Sequence, residues 1–324
     1  MNPSVQRAGR IRPPYRPRRQ IVTADAPARR RPSPGRSQAR LAWVFCAGAV
    51  IIIGAFVFYP AFSALYLSFT DATGFNRPSL VGLANYRSLF SDPVTLRAML
   101  NTAIYTLIYV PVLVAVALGV AILLNRDDLP FRGFLRSVIF LPFVISMAVA
   151  AMAWKFIIDP NLGFLPYWLS KVGIHMGDLL GSTAWALPTV TAVGIWKNFG
   201  YFMVIFLAGL QGVSRELYEA ADLDGCGPWQ RFRAVTLPGL SGTMTYVVIM
   251  ALIQAFQAFD QIYVMTSGGP DHMTETMVYR IYTEGFRNFH LAGASALSYV
   301  LLLVTFLVGV IQLVLNARRE KEDL

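Results

Sequence analysis

The hydrophobic residues of this chain gather in six long runs, at 41–70, 98–125, 137–154, 183–213, 239–259 and 291–316, separated by polar, turn-rich segments. Only the fourth carries a charge, Lys197. Each run reaches or nearly reaches the roughly 20 residues that an α-helix needs to cross a bilayer. The pattern predicts an all-α, polytopic membrane protein with six transmembrane helices in one domain, 41–316. The segment 214–238 has a different pattern. Leu217, Ala220 and Ala221 share one helical face, and Trp229, Phe232 and Val235 recur every three residues. Gly225 and the Gly227-Pro228 pair between them break a helix. This predicts two short amphipathic helices meeting at a turn, a knob on the membrane surface.

The ends are polar. Residues 1–40 hold 11 basic residues and a single acid, Asp25, and are rich in Pro and Ala. Nothing there can bury a core, so a disordered, solvated basic tail that fixes topology is expected; contact of its membrane-proximal arginines with anionic lipid is the alternative. A short C-terminal tail covers 317–324. Charge also orients the spans. With the N-terminus inside, the short inner segments 126–136, 214–238 and 317–324 carry 9 Lys/Arg in 44 residues, against 7 in 86 for the outer ones. Both termini and the knob are therefore expected on the cytoplasmic side.

Composition fits this reading. Of 324 residues 55% are hydrophobic and 14% charged, where a soluble protein has about a quarter charged. A net charge of +10 suggests nucleic acid, but the spans argue against it. Two distant cysteines, Cys46 and Cys226, and three scattered histidines offer no disulfide framework and no metal-ligand spacing. No phosphate-binding Gly-x4-Gly-Lys-Ser/Thr loop is present. No cofactor is expected on this chain, which should not hydrolyse ATP itself.

Within the knob, Glu219-Ala220-Ala221, then Gly225, Val235, Leu237 and Pro238 stand at the spacing of the EAA motif. The segment resembles that motif of the inner-membrane permease subunits of binding-protein-dependent ABC importers, with Cys226 where Ala is common. Val81-Gly82-Leu83-Ala84-Asn85-Tyr86, Phe140-Leu141-Pro142 with Trp154, and Thr266 to Pro270 followed by Thr274-Glu275-Thr276 are similar to stretches of the sugar and glycerol-3-phosphate branch. The resemblance covers about 41–316. It implies a bacterial plasma-membrane permease that works with a second permease subunit, two ATPase subunits carrying ATP and Mg, and an extracytoplasmic substrate-binding protein. It also implies that Glu219, Ala220, Ala221, Asp224, Gly225, Leu237 and Pro238 form the coupling surface for the ATPase.

Polar residues inside apolar runs are costly and mark a solute path. The candidates are Lys197, Asn198 and Tyr201 in the fourth run, Gln254, Phe256, Gln257, Phe259 and Asp260 at the fifth, and Ser298, beside Ser295 and Tyr299, in the sixth. Amides and aromatic faces suit a sugar or oligosaccharide. A cavity-facing Lys197 would instead favour glycerol-3-phosphate or a glycerophosphodiester. Serines in spans also bond neighbouring helices, and Lys197 also suits a structural or gating role. The rival class is an ion-coupled secondary transporter using Lys197 and Asp260. Against it, no run has an acid at its middle.

Overall fold

The computed structural model describes residues 36–126 and 128–322. The expected N-terminal tail lies outside the described residues up to position 35, as do positions 323 and 324 of the C-terminal one. The chain divides into two compact units, Met1–Val57 and Phe58–Leu324. The first contributes helix α1 (Arg36–Ile53), whose apolar side chains from Val50 to Ile53 are exposed.

The second unit continues with α2 (Tyr59–Ser68), α3 (Ala84–Leu89), α4 (Pro93–Leu124), α5 (Arg132–Val144), α6 (Met147–Ile157), α7 (Phe164–Lys171) and α8 (Ala186–Gln211). Then come α9 (Arg215–Leu223), α10 (Pro228–Arg231), α11 (Leu237–Gly239), α12 (Ser241–Phe256), α13 (Asp260–Met265), α14 (Met277–Tyr282) and α15 (Leu291–Glu322). Among the described residues no strand forms; one isolated antiparallel bridge joins Thr70 and Leu80. Five stretches are long and apolar enough to span a membrane: Phe45–Ser68, Pro93–Leu124, Ala186–Gln211, Ser241–Met265 and Leu291–Leu315. Residues 317–322, expected as tail, continue helix α15.

The third expected span differs from a simple crossing. It is two helices, α5 and α6, bent by 98° at the break between them. Pro142 removes one hydrogen bond of α5. Ile145 and Ser146 then take extended ψ angles of 142° and 141°, which turns the chain sharply.

The core lies along α4 and α8. Tyr105, Tyr109, Leu113, Ala117 and Ala121 repeat every four residues on α4, and all are buried. Facing them, α8 buries Val190, Gly194, Phe202, Met203 and Phe206. Two glycines permit the close approach. A Cβ at Gly194 would lie 2.7 Å from the Tyr105 hydroxyl, and one at Gly200 would strike the Ile139 carbonyl of α5. By contrast α15 exposes Leu302, Leu303, Phe306, Val310, Ile311 and Val314. In a bilayer such a surface meets lipid or another chain at no solvation cost.

Candidate functional site: a polar cavity inside the spans and a capped knob at their end

The fifth span is interrupted. Helix α12 ends at Phe256, residues 257–259 are not helical, and α13 starts at Asp260. Irregular backbone at this depth needs partners or a cavity, and it has both. Ala258 accepts a 2.9 Å hydrogen bond from the Thr276 hydroxyl. Beside the break lies a cavity of about 270 Å3.

Six of the nine sequence-expected pathway residues line it: Lys197, Asn198, Gln254, Gln257, Phe259 and Asp260. The other three lie elsewhere. Tyr201 stacks on Phe143 with ring centroids 4.5 Å apart. Phe256 is buried. Ser298 donates to the Ala294 carbonyl one turn back at 2.8 Å and borders a separate apolar groove between α12 and α15.

Five lining residues were not anticipated: Tyr105, Tyr109, Met147, Ala258 and Gln261. The two tyrosines organise the site. Tyr109 donates to Gln254 Oε1 at 3.1 Å and accepts from Asn198 Nδ2 at 3.0 Å. Tyr105 accepts from Gln261 Nε2 at 2.9 Å. The rings stack at 5.4 Å. Three helical segments are thereby joined through phenol oxygens. The sequence signal was present: two polar-tipped rings four residues apart within an apolar run.

Lys197 has a local structural task. The bend after α5 leaves that helix's last carbonyls without intrahelical donors. Lys197 Nζ donates to the Phe143 carbonyl at 3.2 Å and lies 5.0 Å from the Phe143 ring centroid. A cation at a helix C-terminus is favoured by the helix dipole, and the ring face adds a cation–π attraction. Lys197 and Asp260 border one cavity, yet no ion pair between them occurs among the described residues.

The segment after the break is tied back to α4. Asn101 Nδ2 donates to the His272 carbonyl at 2.7 Å and to the Glu275 carbonyl at 3.0 Å. The Thr102 hydroxyl accepts from Met277 N at 2.9 Å. Arg280 joins Asp92 and Glu284, each at 3.0 Å. These contacts fix the wall of the cavity that the 257–259 break opens.

At the opposite end of α8 stands the knob. Ser214 caps α9 by accepting from Glu216 N at 3.3 Å. The helix closes with Gly225 N donating to the Asp222 carbonyl at 3.1 Å and Cys226 N to the Ala221 carbonyl at 2.9 Å. These two bonds make a Schellman motif, whose left-handed position is filled by Gly225 at φ 73°. The Gln230 side chain caps the next turn by accepting from Gly227 N at 2.9 Å. Beyond Arg231 the chain widens into a π-helical turn, Phe232–Thr236, before α11. Pro238 has no N–H to offer the Ala234 carbonyl, which accounts for the wider turn.

Of the motif residues, Ala221 is buried, whereas Glu219, Ala220, Asp224, Leu237 and Pro238 are exposed. Glu219 and Asp222 border a cleft of about 680 Å3 at the ends of α4 and α8. The nearby Arg126 holds Asp128 at 2.7 Å, and that hydrogen-bonded guanidinium keeps the Asp128 carboxyl below its usual range.

The chain is similar to known transport proteins. It is 34% identical over 277 residues to the sn-glycerol-3-phosphate transport system permease protein UgpA of Agrobacterium fabrum, covering 84% of this chain and 93% of that one. With the probable ABC transporter permease protein YurN of Bacillus subtilis it shares 33% over 276 residues, or 84% and 94% of the two chains. Its fold matches a chain of a bacterial ABC transporter involved in the import of the acidic polysaccharide alginate. The TM-score is 0.77 at 21% identity, covering 87% and 96%. A chain of a bacterial alginate ABC transporter in complex with an alginate pentasaccharide-bound periplasmic protein gives 0.75 at 20% identity, covering 85% and 93%. Residues 82–321 match the family described as binding-protein-dependent transport system inner membrane component, so this multi-span chain belongs to that family of ABC importer permease subunits.

Proposed function

We propose that this permease passes a neutral, polyhydroxylated solute, a sugar or oligosaccharide, through the cavity at the α12–α13 break. The observation that carries this reading is the composition of the cavity wall. Four amides (Asn198, Gln254, Gln257, Gln261), two phenols (Tyr105, Tyr109) and the Phe259 ring, itself stacked on Tyr263, surround a single cation and a single anion. Amides and phenols exchange hydrogen bonds with hydroxyls, and the ring offers a face to sugar C–H groups. The two charges balance, and the ammonium of Lys197 is held by the Phe143 carbonyl. At about 270 Å3 the cavity is slightly below the usual ligand-site range of about 300–1,000 Å3. One chain thus supplies one wall, and a second permease subunit of different sequence supplies the other. The relatives named for sn-glycerol-3-phosphate support a second reading, a phosphorylated glycerol held by Lys197.

The knob is the coupling element. Its exposed Glu219 and Ala220 on capped α9, with the Gly225 turn, present a rigid surface to one of two ATPase subunits, which carry ATP and Mg. Domain closure there reaches the spans through α9 and α11 and drives alternating access. An extracytoplasmic binding protein delivers solute at the opposite face. The knob and both termini lie in the cytoplasm, as the basic-residue bias requires, with residues 1–40 and 317–324 as flanking tails.

Co-purification from the native host with mild detergent tests the assembly. An ATPase and a second permease are expected beside the tagged wild-type chain, and both Glu219→Ala and Gly225→Val should reduce ATPase recovery or uncouple hydrolysis from uptake. A chain that purifies alone and transports under an ion gradient would refute the reading. In proteoliposomes of the assembled importer, Lys197→Gln should leave sugar uptake specificity intact. Selective loss of glycerol-3-phosphate uptake in that variant would establish the second reading.

A further inference from the structure

The cleft beside the knob has a charge that nothing above explains. It lies where α4 and α8 end, so it sits at the edge of the apolar slab. Arg126, Arg132, Arg136, Arg215 and Arg231 line it. Among the described lining residues only Glu219 and Asp222 oppose them. Guanidinium groups from three separate chain segments therefore converge on one space of about 680 Å3. A concave site with one sign in excess concentrates counter-ions.

The convergence is built rather than incidental. Phe131, in the left-handed region at φ 55°, turns the chain so that α5 starts beside the end of α4. Arg136 Nη2 then donates to the Leu124 carbonyl at 3.0 Å, capping α4. The same side chain keeps its Nε–H buried with no acceptor, a costly state for a donor unless an acceptor arrives. Arg132 and Arg215 already have partners, and exposed carboxylates hold Arg126 (Asp128) and Arg231 (Asp222), each at 2.7 Å. Exposed pairs of this kind contribute little, so they yield readily to a stronger anion. Planar guanidinium forks match phosphate oxygens bidentately.

We propose that this arginine-lined cleft is a binding site for a phosphate group, carried either by an anionic phospholipid headgroup or by free phosphate. Occupancy would tie the 126–136 segment to α9 and the end of α10, and so set the stiffness of the knob. The inference holds for any solute and does not depend on the knob meeting an ATPase.

The test uses the full-length chain in non-ionic detergent. Native mass spectrometry compares retention of phosphatidylglycerol with phosphatidylcholine. Thermal unfolding, followed by tryptophan fluorescence, compares sodium phosphate with sodium chloride at equal ionic strength. The proposal expects selective retention of the first lipid, stabilisation by phosphate, or both. Lipid selectivity alone identifies a headgroup site, and phosphate stabilisation alone a soluble-anion site. Arg132→Gln combined with Arg136→Gln should weaken the responsive probe by about tenfold or more, as loss of charged hydrogen bonds does. Asp222→Asn, which removes a carboxylate and frees Arg231, should tighten it, and it decides the matter if the double variant does not fold. The proposal is overturned if neither probe exceeds its control, if a folded double variant binds as wild type, or if Asp222→Asn weakens binding.

Discussion

Replacing Gly194 with alanine tests the packing that creates the cavity. The added Cβ would lie 2.7 Å from the Tyr105 hydroxyl, with Tyr109 ring atoms at 3.4 and 3.8 Å. Carbon atoms pack best at about 3.5–4.0 Å, so only the hydroxyl clashes, by roughly 0.7 Å. It has nowhere to go. Tyr105 is fully buried, stacked on Tyr109 and bonded to Gln261 at 2.9 Å. Overpacking of this size costs roughly 1–3 kcal/mol, and disturbing the Gln261 bond adds about 1 kcal/mol. Alanine returns about 1 kcal/mol through helix propensity. The net expectation is a loss of about 2 kcal/mol. Tyr105→Phe removes the clashing atom and by itself should cost about 1 kcal/mol for the lost bond to Gln261. In that background Gly194→Ala should be neutral or slightly stabilising. Equilibrium unfolding of the four proteins in mixed micelles yields the coupling energy. Equal penalties for Gly194→Ala in both backgrounds would refute the close approach of α4 and α8 described above.

Three further outcomes follow from the same geometry. Tyr109→Phe leaves Gln254 and Asn198 without their shared partner, and should lower stability by roughly 0.5–2 kcal/mol while reducing the initial rate of solute uptake; unchanged uptake would remove Tyr109 from the pathway wall. Asp92 is drawn upward by partial burial, but bonds from Thr95 and Val94 and the charge of Arg280 outweigh this and leave its pKa below the ordinary value. Its contribution is therefore complete above about pH 4 and fades as pH falls through the lowered folded value. Asp92→Asn should flatten that acid limb and cost about 1 kcal/mol near neutrality through the weakened cap on α4, and an acid unfolding profile like that of wild type would contradict it. Gly200→Ala drives a methyl group into the Ile139 carbonyl and should prevent stable insertion, seen as loss of full-length chain from membranes; normal accumulation would show that α5 and α8 can separate.

Much of this molecule was legible along the chain. Placement of the apolar helices came from run length, five long helices and one bent pair falling on the six runs, because a bilayer accepts only segments whose backbone polar groups are internally satisfied. The turn within the knob was marked by Gly225 and the Gly227-Pro228 pair, whose backbone preferences act locally. Four residues that line the cavity, Lys197, Asn198, Gln254 and Gln257, stood out by the cost of polar groups in apolar runs. What stayed hidden depended on neighbours distant in sequence. Helix α4 is apolar nearly all round, so hydrophobic periodicity did not reveal which face meets α8, and the spacing of Tyr105 and Tyr109 was the one signal for it. Pro142 hinted at a weak point, but the 98° bend and the use of Lys197 to close it arise only when α5 packs on α8 at Gly200. Ser298 shows the reverse case: its hydroxyl is satisfied one turn back on its own helix, a choice open to any serine in a span and invisible until the fold is formed. The sequence alone determined the membrane class and where the apolar helices and the short helices α9 and α10 lie, because those follow from solvent and local backbone rules. The tertiary structure decided which polar groups converge, because convergence depends on which helices touch and how closely their small residues let them approach.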